Sequence, residues 1–203
     1  MTATGINQDL VKKICKNIRE VEHDFQSIKG LILNESDIKC LIYNKIYSLF
    51  CHEMPTRDLE EIYASPLHSE IPWFDDRGYL RIRPDLTILD PQDLSMHYSH
   101  SERELQRKLQ RKGFLFGGSA LVIEIKFCRS QRGITRQHIN TYRKDCQKIL
   151  DLKHLHYNNP SQRFYGIVVI FNKTNQKCNE FNDFVKEYDD HNTLNVMYCT
   201  GNF

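Results

Sequence analysis

The chain contains no run of about 18 consecutive apolar residues, the length a membrane-spanning helix needs, so no transmembrane helix is expected. It also lacks a C-x-x-C pair. Its seven cysteines, at 15, 40, 51, 128, 146, 178 and 199, are odd in number and never within three residues of one another. That spacing excludes a cysteine-based zinc knuckle and argues against a disulfide framework, so reduced, mostly buried thiols are expected. Histidines pair locally only as His97/His100 and His154/His156, neither a convincing zinc site without a cysteine or acidic partner. Met1 to Leu10 carries no basic stretch leading into an apolar one, so no secretory signal is expected and the location should be cytoplasmic, as in a prokaryotic cell. There is no internal repeat, no low-complexity segment and no dividing linker. The net charge is only +2, so the overall balance names no partner. What remains is 203 residues, 40% hydrophobic and 27% charged, enough to bury a core as one domain over 1–203.

Apolar periodicity locates the elements. Leu10, Val11, Ile14, Ile18, Val21, Phe25 and Ile28 follow three-and-four spacing, so 7–29 should be an amphipathic helix stopping at Gly30. Asn34 can cap a second helix over 35–50 with Ile38, Leu41, Ile42, Ile46 and Leu49 buried. Residues 52–66 read as irregular, with Pro55 and Pro66 as breakers. A hairpin is expected with strands near 67–74 and 79–89 around Asp75-Asp76-Arg77-Gly78. An insertion over 90–118 carries a basic helix at 101–112. Then come a strand at 119–127, a helix at 133–152, a strand at 163–171 apolar enough to be buried on both faces, a helix at 179–189 and a strand at 194–199. This order predicts an α/β fold, a central mixed sheet flanked by helices.

Certain polar residues fall where apolar ones are expected. Glu35 points the same way as Ile42 and Ile46, seven and eleven residues on, all within about 20° around the helix axis. It is either an N-terminal acid favoured by the helix dipole or a carboxylate aimed into a site. In Arg83-Pro84-Asp85-Leu86, alternation sets Leu80, Ile82, Leu86 and Ile88 on one face and Asp85 on the other, with Arg81, Arg83 and Thr87. Glu124 and Lys126 flank Ile125 within an apolar strand and share one face. Charges there are costly unless they have partners or a ligand. Phosphodiester hydrolysis needs what these residues offer: oxygen ligands for Mg²⁺, and a cation near the attacking water and the developing charge. Asp85, Glu124 and Lys126 supply that set if their strands are neighbours, and the backbone carbonyl of Ile125 is a further candidate ligand.

Asp85, Glu124-Ile125-Lys126 and the upstream helical Glu35 resemble the active-site motif of the PD-(D/E)xK phosphodiesterases, the restriction-endonuclease-like fold. The likeness covers residues 31 to 171, in the family's order of helix with Glu, strand with Pro-Asp, strand with Glu-x-Lys, then helix. The 39 positions from 85 to 124 are long, and the insertion 90–118 accounts for them at small cost in loop closure. The resemblance implies a Mg²⁺-dependent nuclease, with Mn²⁺ able to substitute, most often a DNA endonuclease in defence, repair or mobile-element processing. Asp85, Glu124, Glu35 and Ile125 would hold metal, and Lys126 would assist the water. Gln137 and Tyr142, on the following helix, are the candidates for the Gln and Tyr that the family often carries near the site, with Gln137 orienting the groups around the metal ligands.

Two basic clusters are candidates for the phosphate backbone: Arg103, Arg107, Lys108 and Arg111 on 101–112, and Arg129, Arg132 and Arg136 after the Glu-x-Lys strand, with Arg83 beside Asp85. A solvated helix face is the alternative for the first. Trp73 and Phe74 either wedge into nucleic acid or pack. Rival readings are an RNA endonuclease, for which His23 or His52 could add a metal ligand, and a catalytically silent nucleic-acid-binding or assembly module. The expected partner is nucleic acid, DNA first, with a homodimer or partner subunit supplying specificity and no membrane.

Overall fold

Asn7 opens helix α1 (Gln8–Ser27) by accepting a hydrogen bond from the Leu10 N–H, and Leu10, Val11, Ile14, Ile18, Val21 and Phe25 are its buried stripe. Gly30, at φ 92°, turns the chain through the left-handed region that glycine enters freely. Helix α2 (Glu35–Tyr47) starts from a reciprocal cap between Asn34 and Asp37 and buries Ile38, Ile42 and Ile46. The structure is a computed structural model that describes residues 5–28, 30–58, 62–75, 77–95, 115–156, 162–188 and 192–201. The expected basic helix, with Arg103, Arg107, Lys108 and Arg111, lies outside the described residues, as do His97 and His100.

The strands follow in chain order. β1 (Met54–Pro55) and β2 (Tyr63–Ala64) form a small antiparallel ribbon inside the stretch expected to be irregular. Then come β3 (Leu67–Ser69), β4 (Trp73–Phe74), β5 (Leu80–Ile82), β6 (Leu86–Leu89), β7 (Leu94–Ser95), β8 (Leu115–Phe116) and β9 (Ala120–Cys128). Helix α3 (Arg136–His156), β10 (Phe164–Asn172), helix α4 (Glu180–Lys186) and β11 (Leu194–Thr200) complete the described elements.

The hairpin expected over 67–89 divides in two. β4 and β5 close around Asp75, whose side chain accepts the N–H groups of Arg77 and Tyr79. β3 instead pairs with β6. The break falls at Arg83-Pro84, because proline has no N–H for a ladder. The alternation therefore restarts. Ile82 joins one core while Leu86 and Ile88 join the other, so the four apolar residues of 80–88 do not share a face as expected. Leu80 is exposed altogether.

The main sheet has the order β11-β10-β9-β6-β3, with β9, β10 and β11 parallel and β6 antiparallel to both neighbours. The fold is α/β, a central mixed five-stranded sheet flanked by helices. Every position of β10 is buried, as its unbroken apolar run requires. On one face Leu121, Ile123, Ile125, Val169 and Phe171 pack against α1 and α2. On the other, Val122, Val168 and Ile170 pack against α3 and α4. Fully burying one such side chain contributes about 1.5–3 kcal/mol. Trp73 is buried, set edge-to-face on Phe116 with ring centres 6.3 Å apart, which is packing and not a projecting wedge.

Helix α3 begins at Arg136, three residues after the position expected. Gly133 has φ 69°, and Ile134 is extended, bridging to Lys177 through hydrogen bonds with Gln176 and Cys178. Among the described residues no helix is long and apolar enough to cross a membrane.

Candidate active site

The site arises because β9 outruns β6. Their ladder spans Leu89↔Ala120 to Leu86↔Ile123, whereas β9 continues to Cys128. Beyond Ile123 the β6 side of β9 presents backbone groups with no strand of the described residues beside them, which need other partners. Two carboxylates serve: Asp85 Oδ2 accepts the Ile125 N–H at 2.8 Å, and Glu35 Oε1 accepts the Phe127 N–H at 3.1 Å. Asp85 stands there because Pro84 ends the preceding strand and the Glu70 N–H holds the Asp85 carbonyl at 3.2 Å. Glu35 reaches the same edge from the first turn of α2 and is exposed at the rim. The Ile125 carbonyl faces the edge to which its N–H donates, since both backbone groups of a strand residue point one way.

Continuing the β6–β9 register by one residue sets Asp85 across from Glu124. Glu124 and Lys126 both project toward α3, while Ile125 between them is buried against α1 and α2. Lys126 Nζ donates to Glu124 Oε1 at 2.7 Å and pairs with Asp145 Oδ2 at 3.0 Å. Asp145 Oδ1 takes Lys148 Nζ at 2.8 Å. Glu124 Oε2 is buried and has no hydrogen-bond partner among the described residues.

Burial is the main influence on both strand carboxyls. It pushes the Asp85 pKa up despite the Ile125 N–H and the charges of Lys126 and Lys39, and the charge of Glu35 adds to the rise. It also pushes Glu124 up, against the pull of Lys126. Burial alone would lower Lys126, but Glu124 and Asp145 outweigh it and raise its pKa, so the ammonium keeps its proton at neutral pH. Tyr142, whose phenol burial pushes upward with help from the charges of Cys128 and Glu35, also keeps its proton.

The structure thus brings Asp85, Glu124, Lys126, Glu35 and Ile125 together at the end of β9. Gln137 is exposed on the first turn of α3. The inward row of that helix carries Ile139, Tyr142, Asp145, Cys146 and Ile149. Arg83 is exposed, with its charge felt by Glu70. Arg129 and Arg132 are exposed, and Arg136 is paired with Glu180 at 2.5 Å. His23 is exposed on α1. His52 has both ring nitrogens engaged, by Ser65 Oγ at 2.8 Å and the Tyr47 carbonyl at 2.6 Å, and it stacks on Tyr47. Two residues of the site escaped the sequence reading. Asp145 was visible as an acid three residues after Tyr142 and four before Ile149, hence on the buried face of its helix. Lys39, whose charge acts on Asp85, lies four residues after Glu35 and is bonded to Glu70.

Among the described residues no three His, Cys, Asp or Glu side chains are grouped as ligands of one metal ion. Mg²⁺ asks for less: it keeps several waters and takes one or two carboxylates plus substrate phosphate oxygens. Asp85 and Glu124 fit that demand, each with one oxygen committed to the protein and a second, buried in Glu124, left over. No protein-family model, curated protein or solved structure matches the chain.

Proposed function

We propose that the chain is a Mg²⁺-dependent nuclease built on a restriction-endonuclease-like fold, acting first on DNA. One observation carries the reading: a carboxylate on β9 and one just before the adjacent β6 meet beside a partly buried ammonium, and one buried carboxylate oxygen has no partner among the described residues. A carboxylate oxygen so placed is costly unless something binds it, and a hard cation is the ligand its chemistry suits. Asp85, Glu124 and the Ile125 carbonyl would hold the ion, with Glu35 at the rim reaching it through water. The ion would polarise the phosphate and acidify a water molecule.

The roles of the protein groups follow from their charge states. Glu124 and Asp145 raise the Lys126 pKa, which favours the ammonium form over a base. Its part is to donate to the attacking water or to a phosphate oxygen and to neutralise charge as it develops. Asp145 is a positioning residue that fixes Lys126 from α3. Arg129 and Arg132, exposed after β9, are available to the phosphate backbone.

The reading is tested by exposing supercoiled plasmid, single-stranded DNA and RNA to the protein with Mg²⁺, Mn²⁺ or EDTA, beside Glu124→Ala. Metal-dependent cutting lost in the variant is expected, and the preferred substrate distinguishes DNA from RNA. Salt-sensitive binding with no cutting under any condition would instead establish a silent binding module.

A further inference from the structure

A cavity of about 540 Å³ opens along the free edge of β3, away from the carboxylates. Tyr43 of α2 and Tyr63 of β2 line it, with Leu67, His68, Ile71 and Leu94. Its volume falls in the range of small-molecule sites, and its walls are mainly apolar with few polar groups, as such sites are. Tyr63 is 56% exposed, a large aromatic ring left at the mouth.

The polar groups near it are unusual. His68 Nε2 is buried with no hydrogen-bond partner among the described residues, and so is Thr87 Oγ1, directly across the β3–β6 ladder from it. Such atoms cost free energy unless a ligand completes them. Burial pushes the His68 pKa down, against a hydrogen bond with the Ser65 backbone. The ring is therefore neutral. In the tautomer that carries its proton on Nδ1, Nε2 offers a lone pair that can accept an N–H.

The cavity also has a fixed relation to the carboxylates. Glu35, Lys39 and Tyr43 are spaced by four along α2 and share one face. Glu35 bonds to the end of β9, the charge of Lys39 acts on Asp85, and Tyr43 lines the cavity. Eight residues of helix put Tyr43 about 12 Å from Glu35, roughly three stacked nucleotides at 3.4 Å each.

We propose that this cavity receives a single nucleobase, flat against the tyrosines and donating an N–H to His68. The proposal rests on the nuclease reading, for which the base would belong to the bound strand about three nucleotides from the cut. Bases stack on aromatic side chains whatever their identity, and a base extruded from its neighbours is read by hydrogen bonds to its edge. The same chemistry would accept a free nucleoside.

The test uses the full chain in EDTA, so that binding is read without cutting. The probes are short single-stranded DNAs in which one abasic site is walked along the sequence, together with adenosine and guanosine as free ligands. Loss of about 10-fold in affinity when the abasic site occupies one position, abolished in Tyr63→Ala, is the expected result. Tyr63 is exposed, so this variant should fold, and His68→Gln, which keeps an acceptor, should retain more affinity than His68→Leu. Binding of free nucleosides that Tyr63→Ala weakens, with no positional effect in DNA, supports the same site with a free ligand. Unchanged affinities in Tyr63→Ala and His68→Leu for both kinds of probe overturn the proposal. The positional effect in a protein that never cuts would keep the base site while removing the nuclease reading. Metal-dependent cutting without any base effect would do the reverse.

Discussion

Asp145→Asn is the most informative single change, because it leaves the shape of the side chain and removes only its charge. Asp145 is 7% exposed, and its carboxylate takes Lys126 at 3.0 Å and Lys148 at 2.8 Å. Breaking a buried ion pair costs about 3–5 kcal/mol when the remaining charge is stranded. Lys126 would not be stranded, since Glu124 stays 2.7 Å away, and the Lys148 side chain is half exposed, so that contact contributes little. The expected loss is therefore about 2 kcal/mol, which lowers the melting temperature by about 4–8 °C in a domain of this size. Urea unfolding of both proteins at neutral pH reads it directly. The pH dependence supplies a second reading. Burial would raise the Asp145 pKa, but Lys148 and Lys126 outweigh it and hold it below the ordinary carboxylate value. A depressed folded pKa means that the stabilisation is present above the unfolded value, near 3.9, and is lost as pH falls through the folded one. The gap between wild type and variant should thus narrow only in acid. A cycle with Lys126→Met should show coupling of about 1 kcal/mol or more. Equal unfolding midpoints at neutral pH, or independent effects of the two changes, would refute the view that Asp145 holds Lys126.

Other outcomes follow from the same geometry. Mg²⁺ should raise the melting temperature of the wild type by binding the folded state, and Glu124→Gln should abolish that rise, measured by thermal shift without any substrate. Gly166→Ala should cost about 1–3 kcal/mol in chemical denaturation, because a Cβ there would lie 2.5 Å from Ile149 Cγ2 and 2.8 Å from Leu194 Cδ1. Gly133→Ala should destabilise the start of α3 by about 1 kcal/mol or more, since the residue sits at φ 69° and its Cβ would meet the Gln176 carbonyl. Cys40 and Cys51 are exposed, whereas Cys128, Cys146 and Cys199 are buried, and burial raises the Cys146 pKa to about 12. A thiol reagent should therefore modify the exposed pair in the native protein and the buried three only after unfolding.

Local physics made much of the fold legible. The cap at Asn34, the three-and-four spacing on α1 and α2, and the apolar run of β10 depend only on residues close in sequence, and each led to the element observed. The failures have equally local causes. Pro84 stopped a strand that alternation alone would carry through, and the φ of 69° at Gly133 delayed a helix that apolar spacing would begin earlier. Gln137 and Asp145 mark the difference within one helix. A likeness of motif pointed to the first, which is exposed, while the second, which that reading passed over, is buried in helical phase with Tyr142 and Ile149.

By itself, then, the sequence determined α1, α2, β9 and β10, and that Glu124 and Lys126 project from one face of an otherwise apolar strand, because periods of 3.6 and 2 are properties of the backbone. Tertiary structure alone decided what those charges meet. The Asp85–Ile125 and Glu35–Phe127 hydrogen bonds join residues 40 and 92 apart. They exist because β6 was placed beside β9 and ended short of it. No local pattern specifies how far one strand outruns its neighbour. That length difference leaves the backbone groups the carboxylates satisfy, and with them the place where the carboxylates and the ammonium converge.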